Sequence, residues 1–342
     1  MKLSNLAGAL IVIFGCVLAL IFGKSLLFPF LAAMLIYFLI RSIHRSMDSI
    51  KILREKIPAW IKNLLSSIVI FSILGFTGKM LVVNAQHLLN SFGLYQANID
   101  KILIRLNEFI GLDITKTISE TARNFDLASV INPLLNSLTN LMGSVLMALF
   151  YLLFLFIEES NFRNKLHLIF PKEENYDEVR YLLNNIEHSI TQYIGLKTMI
   201  SFISSTVCFV IMLSFGIDSP LLWAFIIFIA NFIPVIGAFL VALLPALFAM
   251  IQFGEINIPL LMFFALGTVQ TLIGNVLEPK LMGDSLNISP LVALLSLTFW
   301  GAIWGIGGMI VSVPITVILI ILLAHFEKTK SLAILLSQNG KV

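Results

Sequence analysis

From Lys197 to Glu327 the chain runs almost without charge, and the few polar groups it keeps there sit beside Pro and Gly at two places. The first is Asn231-Phe232-Ile233-Pro234-Val235-Ile236-Gly237, the second Asn275-Val276-Leu277-Glu278-Pro279-Lys280-Leu281-Met282-Gly283-Asp284. In a bilayer such elements are costly, because Pro removes a helical hydrogen bond and an ionised carboxylate loses its water. Broken, polar segments of this kind are where transporters place their sites.

Of 342 residues, 58% are hydrophobic and 12% charged, against roughly 25% charged in an average soluble domain. That composition excludes an ordinary globular protein. A spanning helix needs about 20 mostly apolar residues, and the stretches 6–22, 26–40, 61–83, 138–157, 198–216 and the long tract 220–326 meet or approach that length. The expected fold is all-α: a polytopic helical membrane protein with about eight transmembrane helices, one or two re-entrant or broken segments, and amphipathic helices outside the membrane. Ten shorter crossings give the same sidedness. The opening apolar run lacks an Ala-x-Ala cleavage site and reads as a retained helix. Cys16 and Cys208 both lie in apolar runs and read as small buried hydrophobes, not as a disulfide framework.

Sidedness follows from where the basic residues fall. Arg41, Arg45, Lys51, Arg54, Lys56 and Lys62 cluster after the second apolar run, which the positive-inside rule places in the cytoplasm together with both termini. This is a topology signal beside a membrane, so no nucleic-acid partner is expected. The resulting organisation is three spans in 1–83, an extracytoplasmic amphipathic helical segment at 84–137, a fourth span at 138–157, a cytoplasmic loop and amphipathic helix at 158–197, a C-terminal membrane region with broken helices at 198–326, and a cytoplasmic tail at 327–342. In the extracytoplasmic segment Ile99, Ile102, Leu106 and Phe109 recur at helical spacing, Asn98 and Asp100 are possible caps, and Gly111-Leu112-Asp113 and Asn132-Pro133 read as turns. After Pro171 a second amphipathic helix carries Val179, Leu182, Leu183, Ile186, Ile190 and Tyr193 on one side and runs into the span that begins near Lys197. Lys197 itself reads as an anchor that snorkels to the headgroups.

Several features resemble the autoinducer-2 exporter family of bacterial polytopic proteins. They are Tyr193 with Lys197-Thr198, Gly216-Ile217-Asp218, the Asn231 to Gly237 element with Pro245 downstream, Asn275-Val276-Leu277-Glu278-Pro279-Lys280, and Trp300-Gly301 through Gly305, Gly308 and Pro314. The likeness is strong over 190–325, and the front half shares only the pattern of spans. It implies a multi-pass protein of the bacterial cytoplasmic (inner) membrane that works as a homo-oligomer and moves a small solute or ion. Members have been linked both to export of a quorum-sensing signal and to cation/proton antiport, so the resemblance leaves the substrate open.

The chemistry available points to transport. Pro279 prevents an uninterrupted helix, so carbonyls before it lose donors, and the Glu278 carboxylate among them suits a Na⁺ or a proton. Lys280 and Asp284 are its nearest charged neighbours in sequence, and a pairing among these three at the membrane edge is the structural alternative. Asn231 and Asn275 offer amides that donate and accept, and Gln270, five residues before Asn275, ranks below them. Pro234, Gly237, Pro245, Pro279, Gly283 and Pro314 supply breaks and hinges. Gly301, Gly305 and Gly308 form a smooth face for helix packing. The five histidines are scattered and no catalytic or nucleotide-loop motif occurs, so no enzyme, metal or cofactor is expected and the driving force is an ion gradient instead of ATP. The partners expected are the lipid bilayer and a small-molecule or ion substrate. The expected activity is a permease or exporter of a small polar solute such as a signalling molecule, with a Na⁺/H⁺ antiporter and a non-transporting scaffold as the alternatives.

Overall fold

The computed structural model describes residues 3–49, 55–110, 127–234, 236–282 and 287–340. Helices account for nearly all of them: α1 (Leu3–Phe22), α2 (Lys24–Asp48), α3 (Ala59–Ile110), α4 (Leu127–Ile169), α5 (Glu173–Ser214), α6 (Pro220–Ala230), α7 (Ile236–Phe253), α8 (Asn257–Leu272), a π-helical turn (Ile273–Leu277), α9 (Glu278–Met282), α10 (Pro290–Trp304), α11 (Ile306–His325) and α12 (Lys330–Leu336). Among the described residues, five helical stretches are long and apolar enough to cross a membrane: Lys24–Asp48, Trp60–Leu88, Glu173–Ser214, Asn257–Met282 and Ile306–His325. Pro220–Ala230, Phe239–Phe253 and Pro290–Trp304 are apolar but shorter. The protein is an all-α polytopic membrane protein.

Two expected breaks are absent. Asn98 and Asp100 lie inside α3, which continues to Ile110, and Asn132-Pro133 lies inside α4. A cap residue ends a helix only if the backbone turns there. The Asn98 side chain instead donates from Nδ2 to the Gln252 carbonyl at 2.7 Å, so a long-range partner outweighs the local signal. Proline removes one helical hydrogen bond and adds one clash, and the α4 helix runs through it. The turn expected at Gly111-Leu112-Asp113 lies outside the described residues.

The chain divides into two compact units, each assembled from separate stretches. The first comprises the described residues of Met1–Ser66, Gly143–Gly195 and Asp284–Val342. Here Trp300, Ile303, Trp304 and Val311 of the α10–α11 hairpin pack with Leu20, Leu27, Leu31 and Leu35 of α1 and α2, and the Trp304 Nε1 donates to the Leu20 carbonyl at 3.0 Å. Basic residues of the 41–62 cluster are paired. Arg41 meets Glu159 and lies 3.8 Å from Glu187, while donating to the Tyr37 hydroxyl. Arg45 reaches Glu187 at 4.0 Å, and the buried Lys62 pairs with Asp48.

The second unit comprises the described residues of Ser67–Met142 and Leu196–Gly283. Its core gathers Leu88 and Tyr95 of α3, Cys208 and Met212 of α5, Ile227 of α6, Val241 and Phe248 of α7, and Met262 and Leu266 of α8. Helix α5 starts with Glu173 and Glu174 in its first turn, where carboxylates complement the helix dipole, and runs unbroken through the amphipathic stretch into the span. It ends in a Schellman motif: Gly216 adopts φ +71°, its N–H bonds the Leu213 carbonyl, and the Ile217 N–H reaches back to Met212. Pro220 then opens α6 at a position where its missing N–H costs nothing.

Gly305 separates α10 from α11 at φ +67° and ψ −144°, a region open mainly to glycine. A Cβ on Gly308 would strike the Trp300 carbonyl, whereas one on Gly301 would meet the Met309 side chain, with Cγ and Cε both at 3.0 Å. Backbone cannot step aside and a methionine can. Gly308→Ala is therefore expected to lower stability by about 2 kcal/mol or more and Gly301→Ala by less than about 1 kcal/mol. Thermal unfolding in nanodiscs checks this, and equal midpoints would remove the distinction.

Candidate functional site

One of the two predicted elements, 275–284, lies with its described residues on the face between α5 and the helix formed by α8, the π-turn and α9. Along α5, Lys197, Ser201, Ser204, Ser205 and Cys208 are all buried, and their spacing of four, three, one and three puts them on one side of the helix. Facing them, the Gln270 Nε2 donates to the Ser204 Oγ at 2.8 Å and approaches the Cys208 Sγ at 3.7 Å. The Lys197 Nζ donates to the Glu278 Oε1 as an ion pair. Seven residues of α5, from 197 to 204, therefore match eight of the antiparallel partner, from 270 to 278. The extra residue is what a π-turn inserts.

That turn determines which oxygens are left over. The Glu278 N–H bonds the Ile273 carbonyl, five residues back, so the Gly274 carbonyl loses the donor an α-helix would give it. The α-helical donor of the Asn275 carbonyl would be residue 279, and that is a proline with no N–H. Two consecutive carbonyls thus lack their α-helical donors one turn before a carboxylate, and for Gly274 the π-helical donor, residue 279, is missing as well. A glutamate side chain on a helix leans back over the preceding turn, which brings Glu278 toward them.

Burial differs sharply across the pair. The Lys197 side chain is 9% exposed and that of Glu278 31%. A lone ammonium at Lys197 would be expensive, and Glu278 removes most of that cost. Lys197 is therefore no headgroup anchor: its ammonium turns inward to a partner 81 residues away. The Ser201 Oγ, one turn along α5, is buried and has no hydrogen-bond partner.

The other expected residues fall in several places. Gln270, ranked low from sequence, is 5% exposed and lies in the seam. Asn275 and Lys280 are exposed on other faces of the same helix, so Lys280 is not the partner of Glu278. Gly283 and Asp284 lie outside the described residues. Asn231 caps the C-terminus of α6, and its side-chain Nδ2 is buried without a partner. Ile233 and Pro234 form the turn that follows, and Gly237 lies in the first turn of α7. Pro245 sits inside α7, fully buried. Gly301, Gly305, Gly308 and Pro314 belong to the α10–α11 hairpin in the first unit.

A second polar cluster lies beyond the end of the α5 span. The Tyr95 hydroxyl donates to the Asp218 carboxylate. The Gln252 Oε1 accepts from the Asp218 N–H at 2.8 Å, and its Nε2 donates to the Gly216 carbonyl at 2.8 Å. Burial first, then the hydrogen bond and charge of Asp218, push the Tyr95 phenol above its ordinary value. It stays a donor, and the cluster is closed. The periodicity of 99–109 hinted at a packed helix here, but nothing local announced Tyr95.

Removing one member of the Lys197–Glu278 pair should cost more than removing both. Glu278→Gln and Lys197→Met are each expected to lower stability by about 3 kcal/mol, and the double variant to recover more than half of the summed loss. Thermal midpoints of all four proteins in nanodiscs test the coupling, and strictly additive losses would show that the contact carries no energy.

The AI-2E family transporter model matches residues 9–328. A candidate transport protein of Borreliella burgdorferi is 34% identical over 228 residues, which are 65% of this chain and 62% of that protein. The AI-2 transport protein TqsA of Escherichia coli K12 is 30% identical over 68% of this chain and 67% of its own length. A candidate transport protein of Haemophilus influenzae matches almost end to end, at 25% identity over 98% of this chain and 95% of its own. With the family match covering all but its ends, this chain belongs to the AI-2E transporter family.

Proposed function

We propose that this protein is a secondary transporter of the bacterial cytoplasmic membrane that moves a small polar solute, coupled to an ion gradient, with Glu278 as the ion-carrying group. The observation that carries the reading is the Glu278 carboxylate, set against a buried lysine and one turn after two carbonyls that lack their α-helical donors. Unwound or bulged backbone beside an ionisable side chain is the way membrane helices make room for an ion. TqsA is named for AI-2 transport, so a small polyhydroxylated signal of that kind is the first solute to test. Asn275, exposed on the same helix, is proposed as a solute contact, and Asn231, with an amide donor to spare, as a second.

Cation/proton antiport is the second reading. The same carboxylate and carbonyls favour it, since all are oxygen ligands that a hard cation accepts. For sidedness, the ion pairs joining Arg41 and Arg45 to Glu159 and Glu187 support placing 41–62 and 158–197 on one side of the membrane. The basic excess makes that side the cytoplasm. Both termini follow if an even number of crossings remains. A homo-oligomer is proposed on the family likeness.

Proteoliposomes with imposed Na⁺ and proton gradients provide the test, with autoinducer-2 and internal pH followed together. Glu278→Gln is expected to lower coupled flux about tenfold or more and Asn275→Ala about threefold. Proton movement on adding Na⁺ without solute selects antiport. Full flux in both variants would move the site elsewhere, and no flux in the wild type would leave a scaffold.

A further inference from the structure

The Lys197 ammonium and a transported cation want the same carboxylate. In this structure Glu278 is occupied by Lys197, a group that is 7% exposed overall. Yet an ammonium on the carboxylate uses only part of the oxygen set around it. The Gly274 carbonyl has lost both helical donors, because the Glu278 N–H goes to Ile273 and residue 279 is Pro, and the same proline removes the α-helical donor of the Asn275 carbonyl. The Ser201 Oγ, on the same face of α5 as Lys197 and one turn along it, is fully buried and unpartnered. An ammonium makes a few directed hydrogen bonds, whereas a hard cation gathers oxygens from several directions, carboxylate and carbonyl together. The site therefore carries more oxygen than its present occupant needs.

We propose that Lys197 is a tethered stand-in for the transported cation. It neutralises Glu278 when no ion is bound, and an alkali cation of Na⁺ size displaces it onto Glu278 and the Gly274 and Asn275 carbonyls. This rests on the reading of Glu278 as the ion site and adds the group that must leave for the ion to enter. The carboxylate is thus neutralised in both states, which spares the membrane an uncompensated anion, and the displaced Lys197 ammonium, itself costly when buried alone, must swing out to water as the cation enters. Lys197 is a positioning and competing residue and touches no solute.

The consequence is an affinity lower than the oxygen set alone would give. A competitor that holds the site about nine parts in ten weakens apparent affinity about tenfold. Full-length protein in nanodiscs, incubated with ²²Na⁺ at fixed pH without solute, reads this directly. Lys197→Met, which keeps the apolar stem and removes the charge, is expected to bind ²²Na⁺ about tenfold more tightly than wild type. Lys197→Arg keeps a competing charge and should stay within about threefold of wild type. Glu278→Gln, and the double variant with Lys197→Met, should lose the signal.

A second measurement covers the chance that Lys197→Met folds poorly with its carboxylate unpaired. Its thermal midpoint should rise in NaCl relative to choline chloride at equal ionic strength, and by more than wild type rises. Lys197→Met binding no tighter than wild type while Glu278→Gln abolishes binding would overturn the exchange and leave the ion site standing. A gain that persists in the double variant would also overturn it. No ²²Na⁺ binding in either wild type or Lys197→Met would overturn the exchange and remove Na⁺ as the coupling ion, leaving only proton coupling at Glu278.

Discussion

Inside a bilayer a backbone carbonyl that loses its donor has no water to turn to, and every other feature of this chain is arranged around that constraint. It explains why the chain is helical almost throughout. It also explains why the places where helices end or bulge are the informative ones. At the end of α5 the backbone groups are closed by Gly216 and Ile217 reaching back to Leu213 and Met212. Three exposed threonines of the spans follow the same rule: Thr206, Thr268 and Thr271 each return a hydroxyl to a carbonyl one turn back. Such back-bonding keeps a polar residue from being a site.

The seam between α5 and α8 is where the rule is only partly met. Gln270 is tied to Ser204, Lys197 to Glu278, and between them lie an unpaired Ser201 hydroxyl and the π-turn. The one-residue excess of the α8–α9 side lets both ties form at once. An uninterrupted α-helix would rotate Glu278 by about 100° relative to Gln270 and place only one of the two toward α5. The bulge is thus the geometric condition for having an amide and a carboxylate on the same face of this helix, and the freed carbonyls are its consequence.

Much of this was legible in the chain itself, and the reasons differ by residue. Span lengths follow from apolar runs against a fixed bilayer thickness, so α2, the first half of α3 and the second half of α5 could be read directly, whereas α6 to α11 lay inside one undivided tract, 220–326. The break at Asn275 to Lys280 was legible from Pro279, because a missing N–H is a covalent fact. The partner of Glu278 was not. Lys280 and Asp284 were nearer in sequence, but Lys280 at i+2 lies on a different side of the helix, while Lys197 faces Glu278 across antiparallel packing that no local pattern encodes. Gln270 was ranked low for the same reason: its five-residue distance from Asn275 is a mismatch, whereas its eight-residue distance from Glu278 becomes a match once a π-turn is inserted. Asn98 and Asp100 misled because a capping side chain and a tertiary hydrogen-bonding side chain look identical until the partner, here the Gln252 carbonyl, is known.

Pro and Gly mark breaks in both units, yet the breaks differ in kind. In the α10–α11 hairpin the Gly305 N–H bonds the Gly301 carbonyl and the Gly305 carbonyl accepts from Met309. Near Pro314, the Ser312 carbonyl takes hydroxyls from both Ser296 and Thr316. These carbonyls are bonded from within the hairpin, whose Trp300 and Trp304 are buried. At Gly274 and Asn275 the helical donors are withdrawn beside a charge pair that is itself one-third open on the Glu278 side. Composition alone ranks the two elements alike. What separates a packing joint from a binding site is whether the backbone oxygens at the break find donors inside the fold: the Gly301 and Gly305 carbonyls do, whereas the Gly274 carbonyl is passed over by the Glu278 N–H and meets a proline at the next position.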